Sequence, residues 1–326
     1  MFNIAIIGAG QLGSRHLQGL CNLRQECEID VVDPSTTSLE LAHRRQLEIA
    51  ANPAVRAVRY HTSIDRLPAQ LDLAVVATSA DVRYAVMDTL LAHSRVRLML
   101  AEKVLFQRPD EYAIAQELLA RRGVKTWVNC PRRAYPIYQK LREYFAHDRL
   151  SYAQVMGDNW GLGCNGVHFL DLFSMLAGEQ LDRLDTTGLD HRLIPSTRKG
   201  FIEYTGFCRG SFVGGARFEI ASLFGDASRL LLTFRSANRT CFVDETAGCA
   251  FLLDGATGAG WVREEFHAPY LSELIPGLVG QMLDTETSPL PTFAESVAYH
   301  VPFIKAMADH AAACDDAYSP DCCQIT

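Results

Sequence analysis

The stretch from Ile4 to Gly13 constrains this chain more than any other. Ile4–Ile7 is a short apolar, β-branched run of the kind that forms a strand buried on both faces. It feeds directly into Gly8-x-Gly10-x-x-Gly13, and Ser14–Leu23 then carries a helical pattern. Each glycine has its own task in such a turn. Gly8 permits the tight bend, Gly10 lets a pyrophosphate approach bare backbone, and Gly13 lets helix and strand pack closely. The helix start offers unpaired N–H groups and partial positive charge to phosphates, so Gln11 and Leu12 join the glycines as expected cofactor contacts. A second strand, Ile29–Val32, ends at Asp33, twenty residues after Gly13. That matches the spacing of about 20 expected for a ribose-binding acid. A glycine turn in some other α/β fold is the weaker reading, and a dinucleotide site is expected. Asp33 would accept both ribose hydroxyls and repel a 2′-phosphate, and Pro34-Ser35 supplies no arginine. NAD is therefore favoured over NADP, with Arg44 and Arg45 the residues that would reverse the preference.

At 326 residues the chain is long enough for two domains. Its 48% hydrophobic and 21% charged content is ordinary for a soluble globular protein. The net charge of −7 argues against a nucleic-acid partner, and its arginine pairs are isolated, not a stripe. Residue 4 already belongs to the first strand, so no signal peptide is expected, and no apolar stretch approaches the ~18 residues of a membrane span. A cytoplasmic location follows as the expectation. The ten cysteines are scattered without paired zinc-ligand spacing, so reduced thiols and no metal are expected. Cys323–Thr326 has a prenylation outline, but Gln324 is not aliphatic and no polybasic segment precedes it, which makes coincidence the better reading.

The first half alternates strand and helix: helix over 38–51, strand 55–60, strand 71–77, helix 82–93, strand 96–101, helix 111–122 and strand 125–129. Such alternation predicts a mostly parallel, doubly wound sheet, a Rossmann domain over 1–128. Beyond it, helix 137–145, strand 152–160 and helix 167–176 precede strand-like runs over 201–208, 211–220, 229–235, 240–244 and 250–253. Helices follow over 271–283 and 293–313. Residues 129–326 are thus expected to form an α+β domain with a large, mainly antiparallel sheet.

Ligands gather beyond the carboxyl ends of the strands in a doubly wound sheet. That rim holds Gly8–Gly13, Asp33, Ala77-Thr78-Ser79, Glu102-Lys103 and Asn129. A lysine leaving a buried strand beside a nicotinamide can hydrogen-bond a substrate hydroxyl and stabilise developing negative charge; the bland alternative for Lys103 is pairing with a nearby carboxylate. His168 is the second candidate, because a histidine titrating near neutrality suits loss of a hydroxyl proton. Asp171 lies three residues on, on the same helix face, where it either tunes the imidazole or accepts a structural hydrogen bond.

Taken together, Gly8-x-Gly10-x-x-Gly13, Glu102-Lys103 and Gly166-Val-His168-x-x-Asp171 resemble the Gfo/Idh/MocA oxidoreductases, over nearly the whole chain. The resemblance implies an NAD(P)-dependent dehydrogenase or reductase acting on CH–OH groups of a sugar, cyclitol or sugar derivative, in biosynthetic carbohydrate metabolism. It maps the family's lysine onto Lys103 and its histidine onto His168. It also implies a homodimer or homotetramer assembled on the sheet of the second domain, through a face drawn from Phe212, Phe218, Leu230, Leu232 and Phe234 or their alternate neighbours. Arg132, Trp160, Asn165, His168 and Asp171 are the expected substrate contacts. Alternatives are an NAD-dependent glycoside hydrolase-like enzyme and a non-catalytic dinucleotide-binding protein. Two departures stand out. Val104 replaces the proline after the lysine, so the turn there, often a cis peptide in relatives, is lost or held otherwise. Cys164 stands where many relatives carry an aspartate, and a thiol cannot replace its charge.

Overall fold

In the computed structural model, which describes residues 1–226 and 229–326, the chain forms two compact units. The first contains six parallel strands: β1 (Phe2–Ile7), β2 (Cys27–Val32), β3 (Val55–His61), β4 (Gln70–Val76), β5 (Arg95–Ala101) and β6 (Lys125–Val128), in the order β3-β2-β1-β4-β5-β6. Helices α1 (Gln11–Leu20), α2 (Thr36–Leu47), α3 (Ala80–His93) and α4 (Pro109–Arg122) connect them. This is the expected doubly wound sheet. Ile4–Ile6, Leu73–Val76 and Leu98–Ala101 are completely buried, which is why these strands read as continuous apolar runs and not as alternating ones. The strand order reverses between β1 and β4, so a crevice opens at their carboxyl ends.

The other elements are α5 (Pro136–Phe145), β7 (Tyr152–Asp158), α6 (Leu162–Ala177), β8 (Leu181–Asp185), β9 (Ile194–Pro195), β10 (Ile202–Glu203), β11 (Gly206–Phe212), β12 (Arg217–Leu223), β13 (Leu231–Arg235), β14 (Arg239–Asp244), β15 (Cys249–Asp254), β16 (Val262–Glu265), α7 (Leu271–Thr285) and α8 (Phe293–Cys314). The large sheet of the second unit runs β16-β15-β14-β13-β7-β12-β11-β8. Its pairings are antiparallel except that of β7 with β12. Phe212, Phe218, Leu232 and Phe234 point inward and are buried, and Leu230 precedes β13. The alternate neighbours Met156, Leu231, Phe242 and Phe251 face outward, 38–44% exposed.

The departures have local causes. The run expected over 201–208 divides into β10 and β11 around Tyr204-Thr205, because a Cβ on Gly206 (φ +95°) would stand 2.5 Å from the Gly188 carbonyl oxygen. The run over 211–220 is a hairpin turning at Gly215 (φ +96°). Helix α6 begins at Leu162, earlier than Val167, through Gly163, Cys164, Asn165 and Gly166, all poor helix formers that mask its start. Strands β8 and β16 went unpredicted because Leu-Asp-Arg-Leu-Asp and Val-Arg-Glu-Glu are charge-rich edge strands with no apolar run.

The division expected at 128/129 lies close to the break after Pro131, but Pro269–Glu295 clusters with the first unit. Helix α7 lies on α1, where a Cβ on Gly19 would meet Ile275 Cβ at 2.6 Å. Gln25 donates to Asp284 at 2.7 Å, Arg97 pairs with Glu286 at 2.8 Å, and Val128 N donates to Pro291 O at 2.9 Å. Nothing in the apolar period of α7 reveals which unit it covers.

Candidate dinucleotide site and candidate catalytic residues

The glycine loop is built as its spacing requires. Gly8 sits at φ +94°, where an added Cβ would lie 2.8 Å from Thr78 N. A Cβ on Gly13 would come within 1.7 Å of Gly8 O, so α1 rests directly on the loop. Gly10 is different: a Cβ there meets nothing within 4 Å, and as the N-cap of α1 it offers no side-chain hydrogen bond. The loop is a bare backbone cradle in front of a helix N-terminus that begins at Gln11.

Asp33 is held by the loops it joins. Its carboxylate accepts from Ala9 N and from Ser35 N, both at 2.8 Å. From α2, Arg45 donates to Gln11 O at 2.9 Å, Gln11 Oε1 at 2.6 Å and Ser14 Oγ at 2.5 Å. Its guanidinium is thereby committed to the first turn of α1. Beside the loop lies a cavity of about 500 Å3, lined by Ile7, Gly8, Asp33, Ile64, Thr78 and Val82 among others. Ala77 N donates to Ile7 O at 2.8 Å, setting residues 77–79 against Gly8. Thr78 Oγ1 is buried and makes no hydrogen bond among the described residues, as does Asn129 Oδ1 at the end of β6. An apolar cavity, bare backbone and orphaned polar atoms along one rim fit a dinucleotide.

At the end of β5, Glu102 turns inward and not toward the rim. It is buried, bonded to His16 Nε2 at 2.7 Å and to Asn129 Nδ2 at 2.6 Å. Burial alone would lift its carboxyl. The hydrogen bond and charge of His16, the Lys103 charge and the Asn129 hydrogen bond outweigh that and hold it at about 2. Lys103 follows, also buried. The Lys103–Val104 peptide is cis, so the turn is kept without proline. Arg83, buried on α3, donates to Val104 O, to Leu105 O at 2.8 Å and to Thr78 O, tying that turn to the end of β4. His16 and Arg83 escaped sequence reading because a histidine or arginine on a helix most often faces solvent.

In the second unit His168 is buried midway along α6, where a Cβ on Gly166 would meet the Phe303 ring of α8 at 2.7 Å. Asp171 is fully buried and takes a bidentate contact from Arg133, with Nε at 2.8 Å and Nη2 at 2.5 Å, and a bond from Tyr299 OH at 2.9 Å. Arg132 forms the same fork on Glu245, at 2.9 and 3.0 Å, and lies 4.4 Å from the centre of the Phe169 ring. Burial opposes the Arg132 charge, but Glu245 more than compensates and raises its affinity for the proton. Tyr138 OH donates to Glu245 at 2.6 Å. Trp160 Nε1 donates to Ala221 O at 2.8 Å, and Asn165 Nδ2 to Trp160 O at 2.9 Å. Arg132, Trp160, Asn165 and Asp171 thus have polar groups engaged within the unit. Their partners Arg133, Glu245 and Tyr299 carried no sequence signal, being joined only by the fold.

The ten cysteines form no disulfide among the described residues. Among the described residues no group of three or more His, Cys, Asp or Glu side chains is placed to hold a metal ion, and no helix is long and apolar enough to cross a membrane.

With this geometry established, comparison with known proteins is informative. Among curated proteins, none matches the sequence. Solved structures share the fold along almost the entire chain. UDP-N-acetylglucosamine 3-dehydrogenase from Acidithiobacillus ferrooxidans superposes with a TM-score of 0.72 at 14% identity, covering 96% of this chain and 99% of that one. An oxidoreductase from Agrobacterium radiobacter, in complex with NAD+, L-tartaric acid and magnesium, gives 0.72 at 13%, covering 95% and 96%. The super-repressor mutant of Gal80p from Saccharomyces cerevisiae gives 0.70 at 13%, covering 95% of each chain. Residues 2–130 match the model of the oxidoreductase family with an NAD-binding Rossmann fold. Over that segment the chain matches the Gfo/Idh/MocA oxidoreductases, and its NAD-binding Rossmann fold makes NAD the cofactor.

Proposed function

We propose that the protein is an NAD-dependent dehydrogenase or reductase acting on a CH–OH carbon of a sugar, cyclitol or sugar derivative. The observation that carries this reading is Lys103: a buried ammonium at the carboxyl end of β5, on the rim that holds the dinucleotide loop, in a turn clamped by Arg83. A binding module has no need of such a group. Gly8, Gly10, Gln11, Leu12 and Gly13 cradle the phosphates, Asp33 takes the ribose hydroxyls, and Ala77, Thr78 and Ser79 border the nicotinamide half. When bound, NAD would supply the hydride acceptor for the substrate carbon. Lys103 hydrogen-bonds the hydroxyl oxygen and offsets its growing negative charge. His168 would accept the hydroxyl proton and become an imidazolium, as the substrate carbon gave up its hydride to the cofactor and the alcohol became a carbonyl. Trp160 and Asn165 border the substrate. The paired charges of Arg132 and Asp171 suit them to support the site and not to bind an ionic substrate group.

The name of the Acidithiobacillus neighbour favours a sugar nucleotide as substrate. The test incubates the protein with NAD+ and a panel of sugars, cyclitols and sugar nucleotides, including UDP-N-acetylglucosamine, and follows NADH absorbance. NADH production from any of these supports the proposal. NAD binding with no turnover across the panel favours a second reading, a non-catalytic dinucleotide-binding regulator. Cys164, which lacks the carboxylate's charge, favours that alternative, as does a neighbour named as the transcriptional regulator Gal80p.

The same reading includes a homodimer or homotetramer. The outward row of the large sheet supports it: Leu231 lies opposite Met156 and Phe242 opposite Phe251, an apolar strip spanning β7, β13, β14 and β15.

A further inference from the structure

The residue before helix α6 is Gly161, which is left-handed at φ +77° and gives no side-chain cap. The first N–H groups of a helix have no partner within it, and leaving them buried and unpaired costs stability. Here the cap comes from a residue some forty positions later. Glu203, on β10, is buried, and its Oε2 accepts from Gly163 N at 2.7 Å while Oε1 accepts from Cys164 N at 3.1 Å. A bridging carboxylate also complements the positive end of the helix.

The seat is built to fit. A Cβ on Gly163 would stand 2.8 Å from Glu203 Oε2, 3.0 Å from Ile325 Cγ2 and 3.0 Å from the Tyr204 ring, so the carboxylate can seat only over a glycine. The segment carrying Ile325 is itself anchored. Ile202 N donates to Gln324 O at 2.9 Å, Cys323 N to Gln107 O at 2.9 Å, and Gln107 Nε2 to Ile325 O at 3.0 Å. Both elements beside the start of α6 are therefore fixed, and the helix they hold carries His168 just over a turn beyond Gly163.

We propose that Glu203 is the positioning residue for His168. It supplies from β10 the cap that Gly161 cannot give, and it sets the first turn of the helix and with it the placement of the imidazole. The inference rests on the reading of His168 as the proton acceptor only for its consequence in catalysis; the positioning itself is measurable without turnover.

The experiment uses the full chain with isotopically labelled histidine. The His168 ring signal is assigned by its loss in His168→Gln and compared in Glu203→Gln and Glu203→Ala, alongside amide hydrogen exchange over residues 161–170. A hydrogen bond to a charged group is worth about 1.5–3 kcal/mol, so Glu203→Ala is expected to speed exchange at Gly163 and Cys164 by roughly 10- to 150-fold and to move the His168 signal while the other histidines hold theirs. Glu203→Gln keeps the shape and one acceptor oxygen and is expected to fall between wild type and Glu203→Ala on both readouts. Should Glu203→Ala fail to fold, Glu203→Gln alone decides. Faster exchange with an unmoved His168 signal means a purely structural cap and overturns the proposal, as does exchange at the wild-type rate. A failed turnover screen, by contrast, removes the catalytic reading of His168 and leaves these readouts intact.

Discussion

Alanine at Gly10 separates binding from folding, and alanine at Gly13 is its control. A Cβ on Gly10 meets nothing within 4 Å, and the backbone there, φ −64° and ψ −156°, is extended and open to alanine. Such a substitution usually stabilises by ~0.4–1 kcal/mol, because the unfolded chain loses freedom. The same methyl would stand where the pyrophosphate approaches the loop. Overpacking of that kind costs ~1–3 kcal/mol, roughly 5- to 150-fold in the dissociation constant for NAD. At Gly13 the Cβ would lie 1.7 Å from Gly8 O and 2.8 Å from Gly8 C. A carbon–oxygen contact needs about 3.3 Å, so two backbones must part by roughly 1.5 Å, and the cost exceeds ~3 kcal/mol. At about 2–4 °C per kcal/mol, Gly13→Ala should lower Tm by some 6–12 °C or more. The assays are thermal unfolding without ligand and titration calorimetry with NAD. Gly10→Ala is expected to hold or raise Tm and weaken NAD binding. Wild-type affinity in Gly10→Ala, or a Tm loss matching that of Gly13→Ala, would refute the argument that Gly10 is the cofactor's point of approach.

Other outcomes follow from the same geometry. Asp33→Ala should weaken NAD binding and narrow the preference over NADP in calorimetry; wild-type protein that binds NADP more tightly would overturn the assignment of Asp33. Glu102 is held near 2, below its ordinary 4.5, so its contribution to stability is complete above about pH 4.5 and is lost as the pH falls toward 2. The stability gap between wild type and Glu102→Gln in urea should therefore shrink between pH 6 and pH 3, and a constant gap would contradict the charge network with His16. Phe242→Glu, on the outward sheet face, should lower the molar mass seen by light scattering at micromolar concentration while keeping the fold; a wild-type monomer would exclude assembly on that face.

Much of this molecule was legible in the sequence, and the boundary of legibility is physical. The glycine loop, Asp33 and the buried parallel strands could be read because each depends on local spacing or on an apolar run continuous along the chain. Lys103 and His168 could be found as candidates because the end of a buried strand and the period of a helix are also local. What escaped were the partners. His16 with Glu102, Arg83 with the 103–104 turn, Arg133 with Asp171 and Glu203 with the start of α6 are joined across 20 or more positions by the folded chain, and no local pattern encodes them. The return of α7 to the first unit was hidden for the same reason, since Gly19 admits Ile275 only once both helices exist.

The central claim is that Lys103 and His168 carry hydride-transfer chemistry, and turnover of the substrate found by the NADH screen tests it most directly. His168→Ala should reduce turnover by the ~10²–10⁴-fold typical of lost general acid–base catalysis, with NAD affinity nearly unchanged. Lys103→Ala should reduce it as well, and Lys103→Arg should not restore it, because a forked guanidinium cannot reproduce a compact ammonium. Full activity in His168→Ala across the pH range would contradict the account and leave the histidine a structural residue of α6.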